Sequence, residues 1–551
     1  MNRTRTGRRL TQLMLGLCTA IGLTATAWAG QPRDHPAEVT GTASISGRVQ
    51  ASSPRAPLSD VIVSARAGNR GVTKVAVTDA DGRYALTGLP PGRYTVSARK
   101  GGYLTIQYGQ MRAFEPGTPL QIEAGQALAR IDLQLPRGSV LTGIVFDQHG
   151  EPAVGAMVRA RRYQFASGRW DLVGVGSFDS SDDRGFYRLF GLPPGDYYIE
   201  VTATAMFGRL APRAPVYYPS APDFGSAQRV SVGIGEEVGG LDVILTESDT
   251  GQVSGLVVDA RGRPQTGARS VNLVGRHPPG LRVRSGQIRA DGSFMVEAVP
   301  PGEYVLYAST PASEGPVEFA AADLVIIGED VENIVLRTTI GATATGTLVV
   351  DGNLSDAFAP EDLLLFTMPQ GFVDVPVGRG TGRVDPDWSF EIGGMGDAQL
   401  VRLLGLPDGW VLEAVLLNGR NITDQPVHLP AGRTTGGFRI VVTDRTTRLR
   451  ATIVDDDGRP VTDCRVVIFA ADATRWQYPS RFVRAERPDQ HGTIDVRGLP
   501  TEHYLVFAAT GIPRGAETNP EFLGRIRPTA TSFTLGAGET RHLTIRTRLL
   551  P

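Results

Sequence analysis

The sequence predicts an all-β chain of tandem antiparallel β-sandwich modules of Greek-key type. Three observations predict it. A two-strand motif recurs, an opening-strand pattern returns roughly every hundred residues, and no long helical period interrupts them.

The motif is clearest in TDADGRYALTGLPPGRYTVS, residues 78–97. Asp81-Gly82 is a tight-turn signal, because glycine takes positive φ without steric cost. Tyr84 and Leu86 then alternate with Arg83 and Ala85, the period of a half-buried strand. Leu89-Pro90-Pro91-Gly92 stops that strand, since proline fixes φ and lacks an N–H. Tyr94, Val96 and Ala98 share one face of the next strand. Variants return at 182–201, 290–308 and 489–508. Core packing, with each hydroxyl reaching a backbone partner, accounts for these tyrosines.

The opening strands align on Gly47, Gly143, Gly255, Gly346 and Ala451, at spacings of 96, 112, 91 and 105 residues. That is the size of one seven-strand sandwich. Three openings run into a Gly-x-Pro turn at Gly150, Gly262 and Gly458. The expected modules are 43–138, 139–250, 251–340, a divergent 341–446, and 447–551.

The first 29 residues read as a signal peptide. Arg3, Arg5, Arg8 and Arg9 precede an apolar run, and Ala27-Trp28-Ala29 suits signal peptidase. The Arg8-Arg9 pair leaves Sec and twin-arginine export both open, and Cys18 raises a lipoprotein as a weaker rival. Residues 30–42 read as a polar connector. The expected location is periplasmic or extracellular, with no membrane span after leader cleavage. Only Cys464 would remain in the mature chain, so no intrachain disulfide is available. The charge balance of 56 basic and 57 acidic residues argues against nucleic acid as a partner.

The Gly-x-Pro turn, the Asp-Gly turn and the Leu-Pro-Pro-Gly-x-Tyr turn together resemble carboxypeptidase regulatory-like domains. The resemblance implies a transthyretin-like (prealbumin-like) sandwich, a carbohydrate-binding-like fold, across most of residues 43–551. It is fairly specific for fold and unspecific for function. Two places depart from it: Met395-Gly396-Asp397-Ala398 in module four, and Leu499-Pro500-Thr501-Glu502-His503-Tyr504 in module five. The expectation there is an altered turn within the same sandwich.

The family name raises peptidase chemistry, which needs His-x-x-Glu, a distant second histidine and a glutamate base. The single His-x-x-Glu is His35-Pro36-Ala37-Glu38, in the connector. No Gly-x-Ser-x-Gly elbow or phosphate-binding loop occurs. Asp79, Asp81, Asp179, Asp182 and Asp183 sit near turns, where aspartate is favoured for backbone reasons as well as for calcium. No catalytic residue, metal site or cofactor is expected. An internal isopeptide bond needs lysine, and Lys74 and Lys100, both in module one, are the chain's two lysines.

The candidate ligand-binding residues are aromatics in insertions: Tyr108, Tyr217, Tyr218, Trp476 and Tyr478, with Trp170 as a further member. Exposed rings beside polar donors suit sugar faces and hydroxyls; the alternative is burial on the parent module. The expected function is a non-enzymatic exported scaffold or interaction protein, with polysaccharide or envelope proteins as partners. The alternatives are glycan binding through the insertions and, more remotely, an unrecognised hydrolase.

Overall fold

The computed structural model describes residues 41–550, apart from 69–72, 203–213, 247–249, 266, 277–281, 312–314, 354–357 and 371–376. The leader, the connector with His35 and Glu38, and His277 lie outside the described residues. Among the described residues, no helix is long and apolar enough to cross a membrane.

The chain is all-β, and its sheets are antiparallel with one recurring exception. In each of the five repeats the opening strand pairs antiparallel with the strand after the Asp-Gly turn and parallel with the closing strand. A second sheet faces this one. In the first repeat it joins Thr73–Val77, Ile62–Ala67, Gly92–Arg99 and short strands at Ile106–Gln107 and Leu120–Ile122. Between the sheets lies the core: Ile45, Val49, Val63, Leu86, Tyr94 and Val96 are all nearly or fully buried in the first repeat. Tyr84 and Leu86 are buried while Arg83 and Ala85 are exposed, the alternation that the sequence dictates.

The repeated motif is held by two kinds of side-chain bond. The first is an aspartate that caps the turn. Asp79 Oδ1 accepts from the Asp81 and Arg83 amides, and Asp182 Oδ1 from those of Arg184 and Phe186. Asp489 repeats the pattern in module five, and Asp259 makes the same two bonds at the Gly-x-Pro turn of module three. The second is the tyrosine of the proline turn, whose hydroxyl donates to the carbonyl four residues earlier. The distances are 2.9 Å for Tyr94 to Pro90, 2.5 Å for Tyr197 to Pro193, and 2.8 Å for Tyr304 to Pro300 and Tyr504 to Pro500. Module five thus keeps the bond despite its altered turn. Module four has no tyrosine there, and Gln399 Nε2 donates to Asp397 O instead.

The conserved-looking glycine of the opening strand has a steric cause. A Cβ at Gly47, Gly143, Gly255 or Gly346 would stand 2.0–2.2 Å from the carbonyl oxygen of Ile131, Leu241, Ile334 or Phe438 respectively. Each of those residues follows one with positive φ: Arg130, Gly240, Asn333 and Gly437. The closing strand bulges there and drives a carbonyl into the opening strand. Tyr84 and Tyr187 donate to that same inward carbonyl at 2.6 Å. In module five the two strands run in unbroken register from Arg448↔Thr540 to Val454↔Arg546. With no bulge there is room for a methyl group, and Ala451 stands in the glycine's place.

Module five differs in another way. The outer face of its second sheet is apolar and carries the helix Pro520–Ile526, which buries Phe522, Leu523 and Ile526 on Val467, Phe469 and Phe507. Asn519 caps that helix through the Glu521 amide.

Gly143→Ala should overpack its strand and lower the stability of module two by about 3 kcal/mol. Ala451→Gly should cost module five only about 1 kcal/mol. Denaturant unfolding resolved by module, for example by hydrogen exchange, checks both.

Candidate functional site

The insertion Arg475-Trp476-Gln477-Tyr478-Pro479-Ser480-Arg481 lies where module five meets modules two and four. Asp472 begins it by accepting from the Thr474 amide and hydroxyl, which starts the short 3-10 turn Ala473–Arg475. Ser480 Oγ then donates to Arg475 O at 2.5 Å and accepts from the Phe482 amide. The loop is therefore closed on itself before it touches anything else.

Trp476 is 5% exposed. Its Nε1 donates to Ala470 O at 2.7 Å, Phe469 meets it edge-on at 5.5 Å, and Arg527 lies over its ring. Tyr217 is 3% exposed, and its hydroxyl donates to Glu200. The expectation that these two rings are sugar platforms is corrected here: neighbouring groups already cover both. Tyr108 and Tyr218 are half-buried against the cores of modules one and two. Tyr478 is half-buried, and its Cβ lies 2.9 Å from where a Cβ on Gly168 of module two would stand. The structure does not bring the five residues together.

An exposed aromatic platform does exist, on the outer face of module two. Trp170 is 48% exposed and stacks on Tyr163 with centroids 5.1 Å apart and planes 18° apart. Phe165 meets Trp170 edge-on, and Phe224 packs on Tyr163 and Tyr198. Beneath lies Glu200, held by Arg161 through two bonds of 2.7 and 3.2 Å. Sequence reading named Trp170 and missed Tyr163. The two sit on neighbouring strands of a hairpin with Phe165 opposite Trp170, and that register was the available signal.

Module five touches modules one, two and four. Towards module four, Arg481 donates through Nε and Nη2 to both oxygens of Asp424, at 2.9 and 2.8 Å, and through Nη1 to Leu412 O. Arg402 approaches the same carboxylate at 3.4 Å. Burial pushes the Asp424 carboxyl up, and the Arg481 fork outweighs it and holds the group below its usual range. Towards module two, Gly168 N donates to Thr518 Oγ1, and a Cβ on Gly515 would meet Phe165 O at 2.2 Å. Towards module one, Arg487 is 7% exposed and donates to Gly109 O and to Asp463, both at 2.9 Å, with Glu115 3.8 Å away. Arg112 of module one also pairs with Asp463 at 3.2 Å. Gln490 exchanges two bonds of 2.8 Å with the backbone N–H and carbonyl of Gln121, on the edge strand Leu120–Ile122.

Cys464 is buried in module five, and burial pushes its thiol up to about 12, far from a nucleophile's range. Among the described residues no group of three or more His, Cys, Asp or Glu side chains converges to hold a metal ion. The turn carboxylates Asp79 and Asp182 are occupied by backbone amides, as above.

Residues 44–136 match the model of the carboxypeptidase regulatory-like domain, so the first module is a domain of that kind. No curated protein matches the chain. Solved structures similar to it include the Bacillus anthracis TIE protein, at 16% identity over 54% of this chain and 51% of that one, with a TM-score of 0.16. The minor pilin GBS52 of Streptococcus agalactiae is 12% identical over 37% of this chain and 97% of its own, with a TM-score of 0.21. The shaft pilin SpaA from Lactobacillus rhamnosus GG is 10% identical over 36% and 97%, with a TM-score of 0.19. The chain spans about half the length of the TIE protein.

Two outcomes are expected. Arg487→Ala removes the buried one of the two cations that Asp463 and Glu115 share, leaving the more exposed Arg112, and should cost about 3 kcal/mol, measured as a lower denaturant midpoint for module five. The Asp424 carboxyl titrates lower when folded than when unfolded. Its contribution is therefore complete above the unfolded value near 4 and is lost as pH falls through the folded one. Amide exchange around Leu412 should rise in acid, and Asp424→Asn should abolish that pH dependence.

Proposed function

We propose that this protein is a non-enzymatic, exported, multi-module scaffold. One observation carries the reading: polar side chains of module five bind modules one, two and four. Arg481, Arg487, Gln490 and Thr518 each serve another module's backbone or carboxylate. Such bonds fix the modules relative to one another, which is what a presenting framework requires. The matched family model describes a regulatory-like domain rather than a catalytic one. The leader-like residues 1–29 support a periplasmic or extracellular location, where envelope proteins or polysaccharide would be the partners.

The second reading is carbohydrate binding, moved from the insertion aromatics to the Trp170–Tyr163 stack. Half-exposed, preorganised rings on a rigid sheet are suited to the apolar face of a sugar.

The test is a purified chain of residues 30–551, assayed on peptide, ester and glycoside substrates and then on soluble and insoluble polysaccharides. The scaffold reading expects no turnover beyond background. Turnover abolished by a single substitution would overturn it. Saturable polysaccharide binding lost in Trp170→Ala would establish the second reading, and binding unaffected by that change would remove it.

A further inference from the structure

The seam between modules four and five encloses a cleft of about 190 Å³. Its walls include Arg402, Asp424, Arg475, Gln477, Ser480 and Arg481. Three guanidiniums thus face one carboxylate, a formal excess of two positive charges. Asp472, beside Arg475, is turned to its own loop, capping Thr474, and Arg484 donates to Ser480 O at 3.4 Å, adding a further cation near the cleft.

The three arginines are not equivalent. Arg481 commits its fork to Asp424 and its remaining donor to Leu412 O. Arg402 donates to the carbonyls of Val401 and Thr423. Arg481 thus builds the seam, and Arg402 braces Asp424 from within module four. Arg475 lies over the Phe482 ring with its guanidinium carbon 4.8 Å from the centroid. Its Nε is buried and has no hydrogen-bond partner. A buried donor without a partner is costly, and a stacked guanidinium is held in one plane, ready to bind. Hydroxyl and amide groups of Thr474 and Gln477 stand beside it.

We propose that this cleft binds the carboxylate of a small acidic sugar, with Arg475 as the anion-binding residue. The Arg481–Asp424 pair shows that a planar carboxylate fits this cluster in the bidentate manner. The flanking polar groups suit sugar hydroxyls, and the volume holds one ring with ordered water. The site is separate from the Trp170 platform, so either can fail while the other stands.

Calorimetric titration of residues 30–551 with galacturonate, galactose and inorganic phosphate tests it. The expected result is saturable galacturonate binding at least tenfold tighter than galactose or phosphate. Arg475→Met should weaken it tenfold or more while amide protection around Leu412 stays, because Arg475 reaches Asp424 by its charge alone and the hydrogen bonds of the seam belong to Arg481. Arg475→Lys, which keeps the charge and loses the fork, should fall between. Equal binding of galacturonate and galactose, stronger binding of phosphate, or full affinity in Arg475→Met would each overturn the proposal.

Discussion

A guanidinium taken out of water must be paired, and Arg487 is paired with groups that no local structure could supply. Its donors reach Gly109 O in the first module and Asp463 in the fifth, and its own carbonyl accepts from Arg93. Residues nearly four hundred positions apart in sequence are thereby tied at a buried point. Gln490 adds a second tie by binding the free N–H and carbonyl of an edge strand, groups that would otherwise invite pairing with another chain. Module five also contacts modules two and four. The array is thus closed on itself, whereas a simple string of modules would contact only sequence neighbours.

Inside the modules a different constraint operates. Where the closing strand bulges, its carbonyl must go somewhere, and the opening strand accommodates it by lacking a Cβ. The buried tyrosines Tyr84 and Tyr187 then satisfy that carbonyl. Module five abandons the bulge, keeps continuous register and tolerates Ala451. It is also the module whose outer sheet face carries a helix. The repeat that does the most joining has thus departed from the pattern at its opening strand and on its outer sheet face.

Much of this was legible in the sequence, for local reasons. Alternation at Tyr84 and Leu86, the Asp-Gly turns and the Pro-Pro-Gly stops depend on residues within about twenty positions of one another, and the structure keeps them all. The parallel pairing of opening and closing strands was not legible, because periodicity reports which face is buried and not which neighbour is bonded. The candidate site was legible only in outline. The Arg475–Arg481 insertion was rightly singled out, but exposure was misjudged at Trp476 and Tyr217. Their burial depends on Phe469 and Arg527 for Trp476 and on Glu200 and Phe224 for Tyr217, groups of the same module brought in from other strands and loops. Trp170 shows the converse: it alternates as a core residue would, yet faces outward beside Tyr163.

The most direct test of closure is amide exchange at Gln121 in the intact chain compared with Gln490→Ala. The closed array predicts a protected Gln121 amide that becomes fast-exchanging in the variant, while the rest of module one is unchanged. A Gln121 amide that exchanges equally fast in both proteins would contradict the closure of module five onto module one.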